Sequence, residues 1–100
     1  MIKVYNMTSP RTGREIANQF VVHVDNTITF QSYNSTIITI DFDNKTIQVY
    51  SEYDYSRTTA KYRNQFLSDY FYSISNKKSF EKALQVGEID GFKIVKMWEV

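Results

Sequence analysis

The chain has 100 residues, 42% of them hydrophobic and 16% aromatic, with a formal net charge of +1. Without a Pro/Gly-rich linker that length makes one domain with one modest core, and the near balance of charge excludes both a polybasic nucleic-acid tail and an acidic mimic of DNA. Cysteine is absent, which removes disulfides, thiolate catalysis and cysteine zinc sites together.

The opening MIKVYNMTSPR is no apolar leader, and nowhere do roughly 18 consecutive apolar residues occur, so the expectation is a cytoplasmic protein with no membrane partner. N-x-[ST] triplets at Asn6, Asn34 and Asn44 are chance matches in a chain rich in Asn and Thr. The eight tyrosines and seven phenylalanines predict a core of large rings with tyrosines left at its rim, where they favour a binding surface.

Residues 2–5 (IKVY) alternate as a short edge strand, and MTSPRTGRE, with Pro10, Gly13 and three hydroxyl residues, is a loop. Arg11 and Arg14, beside Thr8, Ser9, Thr12 and Gly13, form a candidate anion site through their side chains and free N–H groups, but the lysine of a P-loop is missing and an ordinary turn has the same composition. From Asn18 to Val24, Phe20, Val22 and Val24 alternate with Val21 and His23, and Asp25-Asn26 turns the chain. Ile28 and Phe30 then share one face, with Thr29, Gln31 and Tyr33 on the other. Asn34-Ser35 turns into TIITIDF, in which Ile38, Ile40 and Phe42 point one way. After Asp43-Asn44, KTIQVY sends Ile47 and Val49 to the core and Gln48 and Tyr50 outward. These strands and their short turns make an antiparallel meander.

The stretch 52–72 is a long aromatic helix opened by Asp54 or Ser56, both N-cap residue types. Tyr62, Phe66 and Tyr70, with Leu67 and Phe71 alongside, form the stripe that lies on the sheet. Arg57, Lys61, Asn64 and Ser68 occupy the solvated side. Arg63 sits at the margin of the stripe, where its stem can lie over a ring. Ser79 precedes FEKALQV, whose Phe80, Ala83 and Leu84 give a second, short helix that Gly87 ends. Asp90-Gly91 then turns into a last strand, FKIVKMW. The fold class is α+β: an antiparallel β-meander of four to six strands with one long and one short helix packed on one face.

Catalytic chemistry finds little support. His23 is the lone imidazole and lies within a strand, as half-exposed sheet histidines commonly do. The carboxylate pairs Asp41/Asp43 and Glu52/Asp54 have a spacing that can hold Mg²⁺, yet both flank turns, where Asp belongs for conformational reasons. Nucleotide fingerprints are absent, so the reading is a protein that is not an enzyme and carries no cofactor or metal.

The segments VYNMTSPRTGREIANQF, FQSYNSTI and YDYSRTTAKYRNQFL together resemble a family of small proteins from phages, plasmids and conjugative elements of Gram-positive bacteria. The resemblance covers roughly residues 4–67; Tyr53 stands where the family often has Trp, and the region after Ser68 diverges. It implies a mobile-element accessory protein and brings no catalytic residues. The expected function is therefore binding by contact to a host protein, such as a defence nuclease of the CRISPR type, through Tyr53, Tyr55, Arg57, Lys61 and Arg63. The alternative is a nucleic-acid-binding accessory protein, in which the basic helix edge and the Arg11/Arg14 loop contact phosphates while tyrosines stack on bases.

Overall fold

In the computed structural model, which describes residues 2–100, seven strands form a single sheet in the order β1-β2-β3-β4-β5-β7-β6. The first five, β1 (Ile2–Thr8), β2 (Glu15–Val24), β3 (Thr27–Ser32), β4 (Ser35–Asp41) and β5 (Thr46–Val49), follow one another as an antiparallel meander. Helices α1 (Arg57–Ser68) and α2 (Lys77–Val86) come next. Two short strands, β6 (Glu88–Ile89) and β7 (Phe92–Lys96), complete the sheet, one strand beyond the four to six expected. The α+β class holds, but β7 joins β5 in parallel, a pairing that requires the intervening helices as its crossover.

One face of the sheet carries the core. Val21, Ile28, Phe30, Ile38, Ile40, Ile47, Val49 and Ile94 are buried there under the stripe of α1, where Tyr62, Phe66 and Leu67 are buried in turn, and under Phe80, Ala83 and Leu84 of α2. In β2 the more apolar row is the uncovered one: Val21 and Gln19 point inward, whereas Phe20 and Val22 are half-buried and Val24 is exposed. A register shift between Phe30 and Gln31 leaves Ile37 unpaired opposite β3, and this bulge lets the consecutive Ile37 and Ile38 both be buried.

The helix boundaries follow their caps. Ser56, not Asp54, opens α1 by accepting from the Thr59 N–H at 3.1 Å, and the preceding Ser51–Asp54 is a separate 3₁₀ turn. The regular helix stops at Ser68, short of Tyr72. Asn76, not Ser79, opens α2; Ser79 sits at the third helical position, where its hydroxyl accepts from the Asn76 N–H at 3.1 Å while Asn76 accepts from the Ser79 N–H at 2.9 Å. Gly87 ends α2 at φ 87°, a conformation that a side chain would strain. Met97 and Trp98 leave the last strand for a 3₁₀ turn, and Trp98 stacks on Tyr53 at 5.4 Å between ring centroids.

Candidate partner-binding site

Of the five residues expected to contact a partner, two belong to the scaffold. Arg63 is 1% exposed and occupies the middle of the α1 stripe, not the solvated edge. Its guanidinium lies 4.1 Å from the Phe80 ring centroid, donates to the Tyr53 carbonyl at 2.7 Å and to Asn64 Oδ1 at 3.1 and 2.9 Å, and faces the Asp54 carboxylate at 3.6 Å. Burial pulls the Arg63 pKa below the ordinary guanidinium value, and the Asp54 charge opposes that pull. Tyr53 is half-buried between Phe80 and Trp98. Together these groups clamp the 3₁₀ turn onto both helices, which fixes where Tyr55 and Arg57 emerge.

Tyr55 is 73% exposed, and Arg57 and Lys61 are exposed beyond it. Tyr55 borders an open cleft of about 520 Å³ at the N-terminal end of α1, with Tyr33 of the β3–β4 turn on its rim. Its wall is hydroxyl-rich: Ser32 and Thr59 share a buried hydrogen bond of 2.9 Å, and Ser56 donates to the Thr59 hydroxyl at 3.1 Å. Tyr33 is held in the left-handed region (φ 55°), its N–H donating to the Asn18 carbonyl at 2.7 Å and its carbonyl accepting from Gln31 Nε2 at 2.9 Å. That conformation is costly for a tyrosine. It presents the ring, 45% of the residue being exposed, at the cleft mouth.

Sequence reading missed Tyr33 as a site residue, although a ring beside the Asn34-Ser35 turn is the available signal. The cleft can accommodate a projecting apolar or aromatic side chain between two tyrosines, with hydroxyls to orient its polar end.

The Arg11/Arg14 loop is closed as a backbone anion cradle. The Arg11 and Thr12 N–H groups donate to Ser9 Oγ, the Arg14 N–H to Thr12 Oγ1, the Gly13 N–H to the Ser9 carbonyl and the Ser9 N–H to the Arg14 carbonyl. The expected free N–H groups are therefore used within the turn, and only the exposed arginine side chains remain for a ligand. Gln65 Nε2 donates to the Thr8 carbonyl at 2.9 Å and straps the loop to α1, so that Pro10 and Lys61 line one polar groove of about 660 Å³.

The catalytic candidates stand apart. His23 Nε2 lies 3.0 Å from the Tyr5 hydroxyl. Asp41 accepts from the Asn44 side chain at 2.8 Å and from the backbone N–H groups of Asn44 and Asp43 at 3.1 Å; these bonds, that of the Asn44 side chain foremost, hold its carboxyl below the usual value. Asp43 accepts from Asn26 at 2.9 Å, Glu52 from Ser51 at 2.8 Å. Among the described residues no group of three or more His, Asp or Glu side chains is placed to hold a metal ion, and no helix is long and apolar enough to cross a membrane.

A family described as "Family of unknown function (DUF8033)" matches over residues 2–85. The chain belongs to that family. The matched span takes in the whole meander, α1 and nearly all of α2, so the cleft and the Arg63 clamp both lie within the family domain. No curated protein and no solved structure matches the chain.

Proposed function

We propose that this chain is a binding protein that acts by contact, and that its contact surface is the tyrosine-rimmed cleft at the start of α1 with Tyr55 and Arg57 at its edge. The observation that carries the reading is the pair Tyr33 and Tyr55: both rings are exposed and border one cleft, Tyr33 being held there at positive φ by the turn that joins β3 to β4. Exposed tyrosines beside an arginine are the residue types in which contact energy concentrates. The partner class implied by the resemblance read from the sequence is a host protein, such as a defence nuclease of the CRISPR type, met in the cytoplasm. Capture from the lysate of the natural host, with and without nuclease, tests this. A protein retained after nuclease treatment and lost with Tyr33→Ala/Tyr55→Ala supports the proposal. Retention by that double variant contradicts it.

One observation favours nucleic acid as the second reading: the Gln65 strap brings the Arg11/Arg14 loop to the same side of α1 as Lys61. Burial of Arg63 weakens it by removing one of the three helix cations. If the remaining basic groups neutralise two or three phosphates, raising salt from about 50 to 200 mM should weaken binding roughly ten- to fortyfold, at ~0.9 log unit per phosphate per decade. The variant Arg11→Ala/Arg14→Ala/Lys61→Ala should flatten that slope. Absence of salt-dependent binding to mixed-sequence DNA and RNA removes this reading.

A further inference from the structure

At the far end of α1, about 18 Å from its start at 1.5 Å per residue, a notch of about 140 Å³ is lined by Tyr5 and Met7 of β1 and by Gln65, Phe66, Asp69 and Tyr70. It is smaller than a site for a drug-sized ligand, which needs roughly 300 Å³ or more, and large enough for a head group of a few heavy atoms.

Asp69 is the charged residue of its lining. Asp69 is the residue just beyond the last turn of α1; its N–H is spent on the Gln65 and Phe66 carbonyls at 3.2 and 3.3 Å, and its carboxylate has no hydrogen bond or ion pair among the described residues. It sits at the negative end of the helix dipole, where a carboxylate is unfavourable. Asp69 keeps solvent access, yet burial of part of its surroundings raises its pKa above the ordinary value. The Tyr70 phenol is pushed up to about 12, by burial first and then by the neighbouring Tyr5 and Asp69. Burial in this notch disfavours charge of either sign, so a cation is accommodated there only when paired with the Asp69 carboxylate. The rings supply the rest: Tyr70 is set edge-on against Phe66 at 5.5 Å and Phe42 at 6.1 Å, and Tyr5 already carries the Lys3 ammonium at 5.8 Å from its ring centroid. Tyr5 is itself held by its hydroxyl at 3.0 Å from His23 Nε2.

We propose that this notch binds an organic cation, an alkylammonium or guanidinium head group, with the Asp69 carboxylate as counter-charge and the Tyr5 and Tyr70 rings packed against the alkyl or planar portion. The head group belongs either to a lysine or arginine side chain of a partner or to a free small amine.

The test follows the Tyr5 and Tyr70 ring signals by NMR during titration with butylammonium, tetramethylammonium and methylguanidinium chlorides, with potassium chloride at matched ionic strength as control. Saturable shifts beyond the control, weakened at least tenfold in Asp69→Asn and in Tyr70→Leu, are expected. A blocked tripeptide carrying Lys or Arg separates the sources: binding at least tenfold tighter than the free amines assigns the site to a partner side chain, and equal or weaker binding assigns it to small amines. Shifts no larger than those with potassium chloride, or undiminished in Asp69→Asn, overturn the proposal. Asp69→Asn should also melt at the same or a higher temperature, because the carboxylate stabilises nothing in the free protein; a clearly lower melting temperature would make Asp69 structural and overturn the assignment.

Discussion

A guanidinium held at 1% exposure persists only because every direction around it is answered: Asp54 in charge, Asn64 and the Tyr53 carbonyl in hydrogen bonds, and Phe80 against its face. Arg63→Ala should therefore cost about 3 kcal/mol, and Arg63→Lys about half of that, since an ammonium keeps the charge but loses the planar fork. Urea midpoints that fall with unchanged slope would confirm both, and a loss under ~1 kcal/mol for the alanine would contradict the clamp. Gln19 presents the opposite case. It is fully buried, and neither its amide nitrogen nor its amide oxygen has a partner among the described residues. Gln19→Met, of similar length, should leave stability unchanged or raise it by about 1 kcal/mol. For Tyr70 the sign is set by a folded pKa near 12 against an unperturbed 10.0. The stability it contributes is complete below the unfolded value and is lost as pH rises through the folded one. Alkaline destabilisation between those values should accordingly be smaller in Tyr70→Phe than in the wild type, as read by melting curves across that range. Arg63 and Gln19 were the residues least legible in the sequence. Both lie in elements that the periodicity marks, but Gln19 is carried inward by the alternation of β2 without a polar partner, and Arg63 is turned inward onto the Phe80 ring, which a different helix supplies.

At the scale of elements, the periodicities carried most of the information. Alternation in residues 28–33 and 36–50 placed Ile28, Phe30, Ile38, Ile40, Ile47 and Val49 on the covered face, where the structure has them. The 3.6-residue stripe did the same for Tyr62, Phe66 and Leu67. Phe66→Ala should cost about 3–5 kcal/mol and come close to unfolding so small a domain, because Phe66 stacks on Phe30 at 5.8 Å and is 1% exposed. Chemical denaturation showing less than ~1 kcal/mol would refute that packing. The cap of α1 has a milder consequence: Ser56→Ala should cost about 1 kcal/mol. What alternation could not decide was β2, where valines stand on both faces, nor the parallel β5–β7 pairing, which arises from two segments separated by both helices. The start of α2 is ambiguous in the sequence for a local reason. Asn76 and Ser79 are both capping residues, and only their reciprocal bonds show which one is first.

For the whole molecule, the helical side of the sheet gathers the cleft, the basic loop and the acidic notch around a single helix, α1. Fold class was readable from the sequence. The cleft was only half readable, because Tyr55 and Arg57 are local to the helix whereas Tyr33 reaches it through the fold. With Asp41, Asp43 and Glu52 held at turns and Asp54 facing Arg63, the domain should fold without metal, and EDTA should leave its melting temperature unchanged; a fall of several degrees would contradict this. The most direct test of contact through the tyrosine-rimmed cleft is the affinity of the captured, nuclease-treated partner for single truncations. Tyr33→Ala and Tyr55→Ala, each confirmed as folded, should weaken binding by ~2 kcal/mol, about thirtyfold, while Arg11→Ala and Arg14→Ala change it by less than about threefold. If the tyrosine truncations leave affinity unchanged and the arginine changes abolish it, the cleft is not the contact surface.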